Sequence, residues 1–264
     1  MKKATPWIVL LLVLGGLAAW YYSALQPTQD HPSVVTLPPA GPDLPQAQAE
    51  FPIDPLSELV PDPDTPPPDS LPALNESDGE ISEQLAALVG AEMLGSYFVL
   101  EQVINRIVAT VDSLDSRQVA PLVLPVKPAA GTFMTQGLDT LSIHPGNAQR
   151  YAPFVRIAAT VDTAQAVELY VRYYPLFQEA YAELGKGDDY FNDRLVEIID
   201  HLLATPEPEG PLELVKPEAV YVFADPELEA LSAGQKLMLR IGSSNAAVIM
   251  DKLTELRVAL TQPR

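Results

Sequence analysis

The chain has 264 residues, no cysteine, and a formal net charge of −19 from 35 acidic against 16 basic side chains. Without cysteine there is no disulfide staple, thiol catalysis, Cys-bound metal or lipid-modified N-terminal Cys, so the folded part must rest on ordinary packing. The acidic balance repels nucleic acid and anionic headgroups, which argues against nucleic acid as a partner.

Lys2 and Lys3 precede an uncharged apolar run from Trp7 to Leu25. About nineteen residues at ~1.5 Å rise give roughly 28 Å of helix, enough to cross a hydrocarbon core. The lysines predict a cytoplasmic N-terminus, with everything after Leu25 outside. Cleavage after Ala19 would place Leu17 where a small residue is wanted. Trp20, Tyr21 and Tyr22 instead read as an interfacial belt, so a retained anchor is the expectation. Gly15-Gly16 lacks the spacing of a helix-pairing motif, and residues 1–25 are expected to be a cytoplasmic stub followed by a single-pass span over 7–25.

Residues 26–79 contain ten acidic residues, no Lys or Arg, and 14 of the 27 prolines. Such a segment buries too little to offset ordering and reads as a disordered linker with ~40 Å reach on flexible-chain scaling. No basic residue flanks Pro38-Pro39 or Pro66-Pro67-Pro68, so a spacer is favoured over a docking motif for proline-binding grooves. Phe51, Ile53, Leu56, Leu59 and Val60 form one apolar island within it. An isolated island of this kind is ordinarily incidental.

Residues 80–264 read as the folded domain. Ser77 and Glu80 have capping-box spacing ahead of Ile81, Leu85 and Leu88, and Gly90 stops that helix. Leu94, Tyr97, Phe98, Ile104, Ile107, Val108 and Val111 predict one long helix over 91–114. Pro121, Pro125, Pro128 and Gly131 then predict an irregular excursion over 115–140 with at most a short edge strand. A helix starts near His144-Pro145, and Pro153 should divide it. Asp162 with Gln165 opens a helix to Leu184, stopped by Gly185 and kinked or divided at Pro175. Asp188-Asp189 place negative charge at the start of a helix to Ala204 whose inner stripe is Phe191, Leu195, Ile198 and Leu202. Residues 212–223 read as extended. Asp225-Pro226 begins a helix to 241, and a last one runs over 244–261 with Ile249, Leu253, Leu256 and Leu260 inward. The fold class is all-α: a compact domain of about six to eight helices with one or two short extended segments.

Three histidines, His31, His144 and His201, show no metal-ligand spacing, and no nucleophile elbow or phosphate loop is present. No cofactor, metal site or catalytic residue is therefore expected. Two stretches stand out: His144-Pro-Gly-Asn147-Ala-Gln-Arg150-Tyr151, and Tyr170 to Tyr181 followed by Tyr190-Phe191-Asn192-Asp193-Arg194. Arg150, Tyr151, Tyr190, Asn192 and Arg194 are candidates for lining a ligand groove, because tyrosine offers a flat face and a hydroxyl. The plainer reading makes Tyr170, Tyr174, Phe177 and Tyr181 core residues at helical spacing. Arg194 would then pair with Asp193 or Glu197 or brace a loop.

The run Tyr174-Pro-Leu-Phe-Gln-Glu-Ala-Tyr181, with Tyr190-Phe-Asn-Asp-Arg-Leu-Val-Glu-Ile-Ile-Asp-His-Leu-Leu-Ala-Thr205, resembles an uncharacterised proteobacterial family, domain of unknown function 3014. Ile107-Val-Ala-Thr-Val-Asp112, Val119-Ala-Pro121 and the run Phe223 to Lys236 are similar to it as well. The resemblance spans about residues 80–262. It departs at Lys186-Gly187, where a bulkier, proline-containing turn is expected, which leaves the start of the next helix open. It implies an N-terminal membrane helix, a Pro-rich spacer and then the domain, and it carries no catalytic residue.

The expected function is a non-catalytic binding or scaffolding module of the bacterial envelope. It would be held in the inner membrane by residues 7–25, with its domain in the periplasm. The expected partner is an envelope protein or a cell-wall polymer. The alternatives are a carboxylate-dependent hydrolase of cell-wall material and a purely structural subunit of an envelope complex.

Overall fold

The structure is a computed structural model and describes residues 48–53, 71–218 and 220–262. The expected span at 7–25 and most of the spacer lie outside these residues. Among the described residues, no helix is long and apolar enough to cross a membrane.

The described residues form nine α-helices and four strands in chain order: α1 (Asp78–Val89), α2 (Ala91–Tyr97), α3 (Val103–Ser113), β1 (Thr135–Gln136), β2 (Leu141–Ile143), α4 (Asn147–Thr160), α5 (Thr163–Glu183), α6 (Phe191–Leu203), β3 (Glu213–Val215), β4 (Val222–Phe223), α7 (Pro226–Ala230), α8 (Ala233–Arg240) and α9 (Ser243–Thr261). The helical class holds, but these residues contain more helices than the six to eight expected. The extended segments are four strands of one antiparallel sheet, ordered β1-β2-β3-β4. Leu141 faces Leu214, and Leu214 faces Phe223, across its middle. β2 is three residues long, too short for an alternating pattern to announce it. It is launched by Gly137, whose φ of 100° and proximity to the Thr140 carbonyl leave no room for a β-carbon.

Helices α3, α5, α6 and α9 build the core: α3 packs on α5 and α6, while α9 lies on α4, α5 and α6. The stripes expected of α6 and α9 are buried, with Phe191, Leu195, Ile198, Leu202, Ile249, Leu253, Leu256 and Leu260 all at 2 % exposure or less. Tyr170, Phe177, Tyr181 and Phe191 form a ring cluster, with centroids 5.3 Å apart for Tyr170–Phe177 and 5.7 Å for the stacked Phe177–Phe191 pair. The plainer reading of these tyrosines therefore holds. Burial of these aromatic rings, packed edge-on and stacked, stabilises the core.

Two helix starts carry the local caps expected from the sequence. Asp162 accepts the Gln165 amide at 3.0 Å to open α5, and Asp225 accepts that of Glu227 at 2.8 Å ahead of Pro226. Gly185 (φ 84°) follows the end of α5. The expected capping box at Ser77 is not formed: Ser77 Oγ donates instead to the Leu74 carbonyl at 2.8 Å.

Two longer expectations are corrected by contacts distant in sequence. The helix over 91–114 is two helices, because Phe98 is extended and bridges Val126. The Val99 amide donates to Pro125 and the Lys127 amide to Tyr97, at 2.9 and 2.8 Å. Asp78 of α1 then takes the amides of Gln102 and Val103 at 2.6 and 2.9 Å, capping α3 from outside while Gln102 sits at φ 53°. The helix over 226–241 breaks at Leu231, since Ser232 caps α8 and the amides of Ala233 and Gly234 donate to Ser116 and Leu114 at the end of α3. Conversely, α4 runs through Pro153 and α5 through Pro175 without division. Proline inside a helix costs about 3 kcal/mol. The buried neighbours Tyr151, Phe154 and Ile157 in α4, and Tyr173, Tyr174, Leu176 and Phe177 in α5, outweigh that cost.

Asp78→Ala leaves the two amides that start α3 without their acceptor. A loss of about 2 kcal/mol is expected, toward the upper end for a helix cap, with Asp78→Asn losing less. Urea unfolding of both variants measures it, and an unchanged midpoint for Asp78→Ala would show that water caps α3 equally well.

Candidate functional site

The five candidate residues fall into two surroundings that share no hydrogen-bond partner. Arg150 and Tyr151 open α4. Arg150 Nε donates to the Ala130 carbonyl at 3.0 Å and Nη2 to Gly131 at 3.1 Å, so the guanidinium gathers the loop before β1. Tyr151 is only 1 % exposed and belongs to the core. Burial pushes its phenol above the ordinary range, with neighbouring Arg150 pulling the other way.

Tyr190, Asn192 and Arg194 lie at the start of α6, which Gln178 of α5 fastens. Gln178 Oε1 accepts the Phe191 amide at 2.9 Å and the Tyr174 hydroxyl at 3.0 Å, while Nε2 donates to Asp189 at 2.7 Å. The turn at Lys186-Gly187 closes with the Asp189 amide on the Lys186 carbonyl, so Asp188 and Asp189 precede the helix and Asp193 supplies the acid of its first turn. Tyr190 is the N-cap residue and is 37 % exposed.

Arg194 turns toward α3. Its Nε meets Asp112 Oδ1 at 3.1 Å and its Nη2 meets Asp115 Oδ2 at 2.8 Å, while Nη1 reaches Glu197 Oε2 at 2.8 Å. Nη2 also donates to the Asp112 carbonyl at 2.8 Å, filling a backbone acceptor at the C-terminal end of α3. Burial pulls the guanidinium pKa down, and the carboxylates of Glu197 and Asp115 more than offset it, leaving the group above ordinary arginine. Of the pairings considered from sequence, Glu197 is made. Asp112 and Asp115 lay beyond view.

Asn192 and Asp193 point to something else: the spacer. Asp193 accepts the amides of Glu50 and Phe51 on its two oxygens, at 2.9 and 2.8 Å. Asn192 Nδ2 donates to the Phe51 carbonyl at 2.8 Å. Ile53 is 8 % exposed within the core and Phe51 packs against it. The apolar island, expected to be incidental, is thus docked through Phe51 and Ile53; Leu56, Leu59 and Val60 lie outside the described residues. Asp193, Gln178 and Phe51 were not among the candidates. A signal for Phe51 existed, since it is the only Phe, Tyr or Trp in 26–79.

A family model, "Protein of unknown function (DUF3014)", matches residues 103–257, more than half of the chain. The chain belongs to this family. The DUF3014 match begins at the first residue of α3 and ends within α9, so it contains Arg150, Tyr151 and the whole start of α6. It leaves out the docked spacer segment and α1, including Asp78. No curated protein and no solved structure matches the chain.

Among the described residues, no group of three or more His, Asp or Glu side chains is placed to hold a metal ion. One wide, open depression is bounded by Asp162, Thr163, Lys252, Glu255 and Val258, on the side of α9 that meets the start of α5. Lys252 Nζ pairs there with Glu255 at 2.7 Å, and this bond, with Thr163, holds the Glu255 carboxyl below its ordinary value. None of the five candidate residues lines it.

Proposed function

We propose that this DUF3014 protein is a membrane-tethered envelope module whose domain binds another component outside the inner membrane and performs no catalysis. The observation that carries the reading is the pair Asn192 and Asp193, which together hold the main chain of a bent segment on both sides of Phe51. A surface with this chemistry recognises polypeptide, so a protein partner is favoured over a cell-wall polymer. Tyr190, exposed beside it, is a contact residue. Arg150 and Arg194 act as positioning residues, because their donors are spent on the loop before β1 and on α3.

The tether is inferred from Lys2, Lys3 and the apolar run Trp7–Leu25. Docking at Glu50 also changes the reach expected of the spacer. Only residues 26–49 then separate span and domain, and flexible-chain scaling gives roughly 27 Å instead of ~40 Å. The hydrolase alternative asks for two convergent carboxylates left available to a substrate. Four carboxylates at the start of α6 and around Arg194, namely Asp112, Asp115, Asp193 and Glu197, are each engaged.

Two experiments test this reading. A topology reporter fused after Arg264 should be active only outside the cytoplasm, and cytoplasmic activity would overturn the tether. Purified full chain incubated with cell-wall polymer should release no fragments, and release would bring the hydrolase forward.

A further inference from the structure

We propose that the start of α6 is a binding site for peptides that bend ahead of a Phe–Pro–Ile sequence, held closed in this chain by its own Glu50–Ile53. This ligand class rests on reading Asn192 and Asp193 as a polypeptide-binding surface. Its test runs on purified chain, so it does not depend on which side of a membrane the domain lies.

The seated segment shows how the site reads a ligand. Asp193, an acceptor-only group, takes two successive amides, at 2.9 and 2.8 Å. Its charge lies in the first turn of α6, where the helix dipole favours it. Asn192 takes the next carbonyl at 2.8 Å. These contacts read main chain, and specificity falls to the side chains. Phe51 lies against the core and Ile53 enters it. Pro52 between them has no N–H to leave unpaired and a fixed φ, so less freedom is lost on docking.

A second observation marks the site as more than a clip for the spacer. Asn192 is 0 % exposed, yet its Oδ1 has no hydrogen-bond partner while its Nδ2 is engaged. Buried amide oxygens are rarely left this way, because the unpaired group costs free energy. The spacer therefore uses only part of the site's hydrogen-bonding capacity. A partner segment that brings a donor to Asn192 Oδ1 binds better than the spacer and displaces it. Displacement returns residues 50–53 to the tether, so partner capture and reach are coupled.

The test uses a fluorescent peptide of residues 46–56 and full-length chain in detergent. Three proteins are compared: unsubstituted, Phe51→Ala/Ile53→Ala, and that double variant with Asp193→Asn. A tethered segment competes at an effective concentration in the millimolar range, so the emptied chain should bind the peptide at least about tenfold more tightly than the unsubstituted one. Adding Asp193→Asn should weaken binding by about tenfold or more, the scale of two charge-assisted bonds. Equal affinity for the unsubstituted and emptied chains overturns the proposal, as does an Asp193→Asn variant that binds normally. Should the emptied chain fail to fold, hydrogen exchange on the unsubstituted chain decides: the amides of Glu50 and Phe51 must be protected, and must lose protection in Asp193→Asn while α6 keeps its own. Concentration-dependent dimers that vanish in the emptied chain would overturn closure within one chain, showing instead a second copy as the occupant.

Discussion

Arg194→Ala should lower folding stability by about 2–3 kcal/mol and the urea midpoint with it. The side chain is 15 % exposed and serves four acceptors, three of them on α3 or just beyond its end. Exposed ion pairs are worth about 0–1 kcal/mol. Removing one partner of a buried pair costs about 3–5 kcal/mol, because the other charge is left behind. Asp112 and Asp115, at 24 % and 34 %, place this case between the limits. The lost bond to the Asp112 carbonyl adds to the cost, since it satisfies a helix end. Arg194→Lys should recover less than half, because an ammonium cannot match a fork that reaches Asp112, Asp115 and Glu197 together. A loss below about 0.5 kcal/mol would mark the network as ordinary surface charge. Peptide capture at Asp193 should survive in folded Arg194→Ala protein, because the hydrogen bonds of the two side chains go to separate partners.

The same network shows why the site was only partly legible. Asn192 stood out from sequence because it lies among tyrosines and an arginine that together could line a ligand groove. Its occupant lies 141 residues earlier, in a segment whose composition argues against order. Arg194 was read with Asp193 and Glu197 as neighbours at helical spacing, and only Glu197 is one. Asp112 and Asp115 lie 82 and 79 positions away. Periodicity exposes a helix's buried face, as it did for α6 and α9, but does not say which helix lies opposite.

The fold divides in the same way. The cap on α5 was visible because Asp162 and Gln165 are three residues apart. The cap on α3 was not, because Asp78 belongs to another helix. Without that carboxylate and the Phe98–Val126 bridge in view, an unbroken apolar stripe reads as one helix. Pro153 and Pro175 mislead in the opposite direction. Local rules break a helix at each, and the rings packed on either side hold it together.

Those packed rings lead to the other large effect, a cooperative alkaline unfolding that begins near pH 10. Tyr170 and Tyr181 are 0 % and 2 % exposed and Tyr174 is 8 %. Burial raises Tyr170 well above the ordinary phenol range and lifts Tyr174 and Tyr181 to about 12. For Tyr174 a hydrogen bond from the Asn192 backbone works against the rise. A group whose folded pKa is raised keeps its proton in the native state after the unfolded chain has lost it. Its stabilising contribution is whole below about pH 10, the unfolded value, and drains away as pH climbs toward about 12. Tyr174 removes about 1.4 kcal/mol per pH unit over that window, and Tyr170 acts in the same direction. By about pH 12 Tyr174 alone costs about 2–3 kcal/mol, and buried Tyr170, raised in the same direction, adds to a loss that is a large share of the stability of many domains. Helicity by circular dichroism and tyrosinate absorbance should therefore change together above about pH 10. Tyr174→Phe should shallow the fall by about 1.4 kcal/mol per pH unit, at the cost of the hydroxyl bond to Gln178. Tyrosinate forming fully near pH 10 with helicity intact would show that the rings are reached by water without unfolding, and the aromatic core would have to be redrawn.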